Sequence, residues 1–341
     1  MLSQRSEAVL RIIISEYIAT AVPVSSEVIA YRYSLNVSPA TVRNEMAHLE
    51  EEGYIVRPHV SAGGVPSDKG YRHYMESVII DGESLSEDDQ RSIRELFDQV
   101  RQEFNEWLRV VTAVMSHRLR GIALATVPQA NECHFRRIEL VALEKYLVLL
   151  VLILRGSRFR QHLLTFEHVV SQEDLAVIAQ RFNVAYEGLT FPEIVDHRAT
   201  LSEAEGQIRD GITELMRAED QEWSGELYLD GLRHLLAQPE FNDVNKMAAL
   251  VGAMEEKRLL RNLVGKLSDD PEVEVKVTIG RENVDEVLKD CTVIIRSYGV
   301  PGKMIGAVGL IGPTRMPYNR VIPTVRYLSS VMSELTQKTY V

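Results

Sequence analysis

Cysteine is nearly absent: Cys133 and Cys291 are the only two in 341 residues, and neither has Cys or His neighbours at metal-finger spacing. That excludes a disulfide framework and a finger-type zinc site, and it suits a reducing cytoplasm. Long apolar runs are missing too. The longest, Tyr146 to Leu154, is about half the roughly 20 residues that a membrane-spanning helix needs, so it reads as a buried strand and no membrane partner is expected. The opening MLSQRSEAVLRIII is amphipathic and lacks a cationic start, an apolar core and a small-residue cleavage site, so no secretory leader is expected. Neither glycine-rich stretch, Gly299 to Gly302 or Gly306 to Gly312, has the ending of a phosphate loop or the order of a dinucleotide site. They read as turn and strand glycines. With histidines scattered and Asp269-Asp270 set in a turn before Pro271, no catalytic, cofactor or metal residues emerge, and an enzyme is not expected.

A basic excess is the next absence. The net charge is −11, and residues 1 to 80 hold seven Arg and Lys against nine Asp and Glu, a local net of −2. Any nucleic-acid surface must therefore come from where charges sit rather than from their sum. The length points to two or three domains, and 45% apolar with 26% charged residues is the balance of a folded globular protein.

The amino-terminal eighty residues carry the clearest pattern. A Ser3 cap precedes a helix over Gln4 to Ala19, with Ala8, Val9, Ile12, Ile13, Tyr17 and Ile18 along one stripe. Ser25 or Ser26 caps a second helix to about Tyr33, with Val28 and Ile29 facing inward. Ser38 caps a third, with Pro39 at its first position and Gly53 as the left-handed residue beyond its end. Three short helices with a tight turn before the third form a helix-turn-helix pattern.

At 100° per residue, Val42, Met46 and Leu49 are the buried stripe of the third helix. Its opposite face carries Ala40, Asn44, Ala47 and Glu51, flanked by Thr41, Arg43 and His48. Small residues beside Arg, Asn and Thr let a helix reach the floor of a major groove, where Arg suits guanine and Asn suits adenine. Tyr54 to Val60 then runs extended into the turn cluster Ser61 to Pro66, and a further helix begins near Arg72. A β-hairpin after a helix-turn-helix is a wing. Arg57, His59, Ser61, Lys69 and Arg72 on or beside it are the candidate phosphate contacts; the alternative is a hairpin that only packs the helices.

Beyond residue 80, apolar residues from Ile93 to Val111 recur at helical spacing, predicting one connecting helix over Ser86 to Arg120 that serves as core or as a partner-helix interface. Strand character occupies Ile122 to Val127, Arg137 to Leu143 and Lys145 to Leu154, predicting an antiparallel sheet. The acidic interval Glu167 to Trp223 is helical, with helices at Gln172 to Tyr186 and Ser202 to Ala218, and reads as an inserted subdomain. Helices follow at Gly231 to Ala237 and Val244 to Leu263. Strands resume at Val273 to Ile279, Cys291 to Tyr298 and Met304 to Gly312, and a last helix opens at Pro317.

The run VSPATVRNEMAHLEEEGYIVRPHVSAGGVPSDKGYRHY (37 to 74) closely resembles the winged-helix region of the heat-inducible transcription repressors, the HrcA family. The resemblance continues at LLAQPEFND (Leu235 to Asp243) and GAVGLIGPTRMPYNRV (Gly306 to Val321), so it spans essentially the whole chain. It implies an α+β multidomain protein: a winged helix-turn-helix over 1–80, then a GAF-like α/β domain over 81–166 and 226–341, split by an inserted dimerising domain at 167–225. On this reading the candidate DNA contacts are Ser25, Ser38, Ala40, Thr41, Arg43, Asn44, Ala47, His48, Arg57, His59, Ser61, Lys69 and Arg72. One departure stands out. The family's wing usually reads Ser-Ala-Gly-Arg-Ile-Pro, and Gly64-Val65 here replaces Arg-Ile, which removes a wing-tip cation and shifts weight to Arg57, Lys69 and Arg72.

The resemblance implies a cytoplasmic repressor of chaperone operons that binds the inverted-repeat operator CIRCE as a homodimer and needs no cofactor. It also implies that the chaperonin GroEL maintains the active fold until unfolded proteins titrate it away. Whether the GAF-like domain encloses a small ligand stays open.

Overall fold

The computed structural model describes residues 2–33, 37–59, 62–81, 84–100, 103–130, 133–155, 159–197, 200–221, 226–255, 263, 274–300 and 304–340. The chain is α+β, with helices and antiparallel sheets mixed along its length.

Helices α1 (Gln4–Thr20), α2 (Ser26–Arg32) and α3 (Pro39–Glu51) are followed by two short strands, β1 (Ile55–Val56) and β2 (Val65–Pro66), and then by α4 (Asp68–Asp81). The caps follow from the residues. Ser3, Ser25 and Ser38 each accept a hydrogen bond from the backbone N–H three residues on, and Gly53 adopts the left-handed conformation at φ 77°. Two inward stripes differ from expectation. Helix α1 buries Val9, Leu10, Ile13 and Ile14, while Ile12, Tyr17 and Ile18 are only partly covered, and α2 buries Ile29 but exposes Val28. Both helices are apolar over more than half their circumference, so packing rather than pattern chooses the face.

The connecting segment is two helices, not one: α5 (Glu87–Asp98) and α6 (Phe104–Leu119). The apolar period runs on across the break because both lie on the same core; Ile93 and Phe97 enter it from α5, and Trp107, Leu108, Val111 and Met115 from α6. Phe104, the first residue of α6, sits edge-on to Trp107 and stacks on Tyr298.

Strands β3 (Ile122–Thr126) and β4 (Gln129–Ala130) belong to a six-stranded sheet with β8 (Leu227–Asp230), β9 (Lys276–Ile279), β10 (Cys291–Val300) and β11 (Met304–Pro313). Its order is β8-β3-β11-β10-β9, with β4 also pairing β11. Alternation divides its two faces. Ile294, Val308 and Leu310 face α6 and the last helix, α12 (Tyr318–Tyr340), while Val293, Ile295 and Ile311 face α10 (Leu232–Leu236) and α11 (Val244–Glu255).

The remaining strands overturn the expected single sheet. β5 (Phe135–Ala142), β6 (Leu147–Leu154) and β7 (Phe159–Thr165) pair only with one another among the described residues. Their inner face shares a separate core with α7 (Gln172–Tyr186), α8 (Phe191–Asp196) and α9 (Glu203–Gln221), built from Ile138, Leu150, Leu152, Phe182, Ile208 and Ile212. The interruption of the six-stranded sheet therefore begins near 133, not at 167. Period-two patterning identifies strands but not their partners.

The other face of this three-stranded sheet has no cover among the described residues. The register places Val141 beside Leu149 and Leu163, and Ile153 beside Phe159, on that side; Val141, Phe159 and Leu163 are exposed.

Candidate nucleic-acid interface

Helix α3 separates its faces cleanly. Val42, Met46 and Leu49 are buried, while Ala40, Arg43, Asn44, Ala47, His48 and Glu51 are exposed. The side chains of Arg43, Asn44 and His48 make no hydrogen bond or ion pair among the described residues. At the helix start, the Thr41 N–H donates to Ser38 Oγ at 3.1 Å, and the two hydroxyls lie 3.0 Å apart. Ser25 caps α2 by accepting from the Val28 N–H at 3.3 Å. An unpartnered arginine and amide between two alanines, on the solvent side of an anchored helix, form a surface for hydrogen-bonding a flat polar edge.

The cations around the hairpin are in a different condition. Arg57 is largely buried, with Nε 3.3 Å from Glu50 Oε2. Lys69 donates to the Glu52 carbonyl at 2.6 Å and lies 4.2 Å above the centre of the Tyr54 ring, which caps the C-terminal end of α3. Arg72 points away from the hairpin: its guanidinium pairs with Glu282 and donates to the Val277 carbonyl at 2.9 Å. It joins α4 to β9, so its expected place beside the wing as a phosphate ligand is not where the structure puts it. His59 is exposed, and Ser61 lies outside the described residues.

Gly64 is not at a tip. Its N–H and carbonyl both pair with Val24, at 2.8 and 3.0 Å, in an isolated antiparallel bridge. A side chain there would begin 3.0 Å from Ile55 Cδ1 and 3.1 Å from Met46 Cε, inside the core of the unit. The reading that Gly64 marks a missing cation at an exposed tip is corrected accordingly.

This unit is seated directly on the six-stranded part. Tyr71 of α4 packs 6.0 Å from the ring of Tyr318 at the start of α12, and Tyr74 lies 6.4 Å from it. Burial pushes the phenols of Tyr71 and Tyr318 well above their ordinary range, so both stay neutral. Two features escaped the sequence reading. Tyr31 of α2 is 78% exposed on the helix before α3, and Arg315 reaches the end of α1 from a stretch 297 residues away. Among the described residues no group of three or more His, Cys, Asp or Glu is placed to hold a metal ion, and no helix is long and apolar enough to cross a membrane.

Comparison with known proteins places the chain. A family model described as the HrcA protein C terminal domain matches residues 105–322. The chain is 43% identical over 340 residues to the heat-inducible transcription repressor HrcA of Dehalococcoides mccartyi, covering 100% of this chain and 97% of that protein. It is 35% identical over 347 residues to the protein of the same name from Roseiflexus castenholzii, covering 99% and 96%. A crystal structure of a hypothetical protein shares the fold at a TM-score of 0.62 and 23% identity, covering 99% of this chain and all of that one. With a matching family model over more than half its length and relatives of this identity end to end, the chain belongs to the HrcA family, whose members are heat-inducible transcription repressors and not enzymes.

Proposed function

We propose that residues 1–80 act as a winged helix-turn-helix that reads DNA through α3, and that the protein represses transcription as a homodimer on an inverted repeat. The observation that carries this reading is the exposed face of α3, where Arg43 and Asn44 stand unpartnered between Ala40 and Ala47. Ser25, Ser38 and Thr41 at the helix starts, with His48, His59, Ser61 and Lys69, are the accompanying backbone contacts; Arg57 joins them only if its pair with Glu50 opens, and Tyr31 adds a hydroxyl suited to phosphate. Arg72 supports the unit from behind rather than touching the duplex.

A two-fold dimer presents two such helices to two half-sites. The uncovered outer face of β5, β6 and β7 supports self-association, since β6 is apolar at every position and only half of it finds a core within the protomer. On this reading the inserted dimerising unit runs from about residue 133 to 221, and the six-stranded sheet with α6, α10, α11 and α12 is the GAF-like domain. The operator is the inverted repeat CIRCE, upstream of chaperone operons, and GroEL sustains the DNA-competent form until unfolded proteins occupy it.

An electrophoretic mobility shift with the inverted-repeat duplex tests this, comparing wild type with Arg43→Ala and Asn44→Ala. A lost bidentate base contact costs about 1 to 3 kcal/mol, a weakening of about 5- to 150-fold, with relaxed preference at the contacted base pair. Unchanged affinity in both variants removes α3 from base readout.

A further inference from the structure

The stretches Leu235 to Asp243 and Gly306 to Val321 take no part in the DNA-facing surface, yet they meet at one side chain. Arg315 directs Nε to Glu240 Oε1 at 2.5 Å, Nη2 to Gln238 Oε1 at 2.7 Å and Nη1 to the carbonyl of Ile18 at 3.3 Å. Its side chain is only 13% exposed, so the fork works largely out of water, where an ionic hydrogen bond is strong and a missing partner is costly.

The Ile18 contact joins two parts of the protein. Ile18 lies in the last turn of α1, whose final carbonyls have no partners within the helix. The helix dipole leaves that end negative, and α1 has no basic residue of its own there. Arg315 supplies both the missing donor and the missing charge, from a loop that Glu240 and Gln238 hold in place. Helix α1 in turn carries α3: Val9, Ile13, Val42 and Met46 share one core, and Ser6 donates to Glu45 of α3 at 2.7 Å.

A second contact lies on α4. The Arg281 N–H donates to Asp68 Oδ2 at 2.9 Å, and Gly280, at φ 52°, leaves the space that the Asp68 carboxylate fills. Beside these contacts the junction holds the aromatic seam of Tyr71, Tyr74 and Tyr318 and the Arg72 pair with Glu282, which ties α4, but not α1, to the body. Packed apolar surfaces can slide past each other, whereas a three-acceptor arginine fork fixes an angle.

We propose that Arg315, held by Gln238 and Glu240, is a positioning residue for DNA recognition. It fixes α1, and through it α3, against the body of the protomer, and so sets the half-site spacing the dimer accepts. The spacing step rests on the reading of the protein as a DNA-binding dimer; the clamp itself does not.

The test uses the full-length chain as wild type, Arg315→Lys, Arg315→Ala and Glu240→Gln, with thermal unfolding as the check on folding. Amide exchange is first followed by mass spectrometry without DNA. Loss of hydrogen bonds to a charged group shifts a local opening equilibrium by about tenfold or more, so exchange across 17–21 should accelerate by about that factor in Arg315→Ala. Exchange in β10 and β11 should stay unchanged, and Arg315→Lys, with one point charge for three acceptors, should fall between. The same proteins are then titrated with inverted repeats whose spacer is lengthened or shortened by one and two base pairs. Wild type should prefer one spacing, and Arg315→Ala should flatten that preference while keeping its affinity for a single half-site. Wild-type exchange at the end of α1 together with a wild-type spacing profile, in both Arg315→Ala and Glu240→Gln, overturns the proposal. Should Arg315→Ala unfold the whole chain, Glu240→Gln decides by the same criteria. Should wild type bind none of the repeats, the DNA reading fails, and the exchange data alone uphold or refute the clamp.

Discussion

Phe159 offers a direct measure of the uncovered sheet. It stands 66% exposed on β7, paired with Ile153 on the outer face. If a second copy covers that face, burying the exposed two-thirds of a ring of about 200 Å² removes roughly 130 Å² of apolar surface from water in each copy. At about 25 cal/mol per Å² this is about 3 kcal/mol, of which an alanine retains roughly a third. Phe159→Ala should therefore cost about 2 kcal/mol per copy and about 4 per dimer, raising the dimer dissociation constant by about a thousandfold. The ring makes little contact with its own protomer's core, so denaturant unfolding of the dissociated protomer should change by less than about 0.5 kcal/mol. Sedimentation equilibrium over a concentration series reads the constant. Val184→Ala is the control: it is 79% exposed on α7, which covers the inner side of the sheet, and should leave association unchanged. Equal dissociation constants for wild type and Phe159→Ala would refute the assignment of this face.

Two helical glycines should respond to alanine with opposite signs. At Gly70 in α4 a methyl group runs into the Tyr54 carbonyl oxygen, so Gly70→Ala should lose about 1 to 3 kcal/mol in chemical denaturation. At Gly206 in α9 nothing lies within 4 Å, so Gly206→Ala should gain about 0.5 to 1 kcal/mol through reduced freedom of the unfolded chain. The thiols give a third expectation. Burial pushes the Cys291 thiol up to about 12, and Cys133 is buried with Sγ directed at the Met216 carbonyl. Both should resist a thiol-specific chromophoric reagent at pH 8 until denaturant is added; immediate reaction of either would contradict its placement.

What the sequence made legible was local. Ser38, Pro39, the Val42, Met46 and Leu49 stripe and Gly53 define α3 within sixteen consecutive residues, and each role is a short-range consequence of capping, backbone freedom or helical period. Tertiary partners were hidden. Arg72 is a cation beside a hairpin in sequence, but its carboxylate lies 210 residues away at Glu282. β8, four residues reading Leu-Tyr-Leu-Asp, is too short to carry a period, and only its pairing with β3 makes it a strand. The continuous apolar run of β6 fits a strand covered on both sides, and nothing in the run says that only one of its faces packs on a core among the described residues.

The near-neutral charge of residues 1–80 leads to a measurable slope. Part of the charge of this unit is held in contacts within it or with the body of the protomer. Glu16 pairs with Arg32 at 3.0 Å, Glu45 accepts from Ser6, Glu50 lies 3.3 Å from Arg57, and Asp68 accepts from the Arg281 N–H. Arg32 and Arg57 are spent with them, as is Arg72 on Glu282. Among the described residues Arg43 makes no ion pair, and Lys69, bound there to a carbonyl and a ring, keeps its charge as well. Pairs inside the unit remove equal numbers of each sign, so the net of −2 stands, with Glu51 and Glu52 exposed at the end of α3, and the supply of cations for phosphate is small. Counterion release gives a slope of about −0.9 per neutralised phosphate in a plot of log affinity against log salt. One to two such contacts per protomer, doubled in a dimer, predict a slope of about −2 to −4, shallow for a repressor, with Arg43→Ala making it less negative by up to about 2. Filter binding of the inverted repeat between 50 and 300 mM salt measures it. A slope near −8 would mean that the ion pairs to Arg32, Arg57 or Arg72 open on binding, and that the charge inventory of the free protein is not the one the duplex meets.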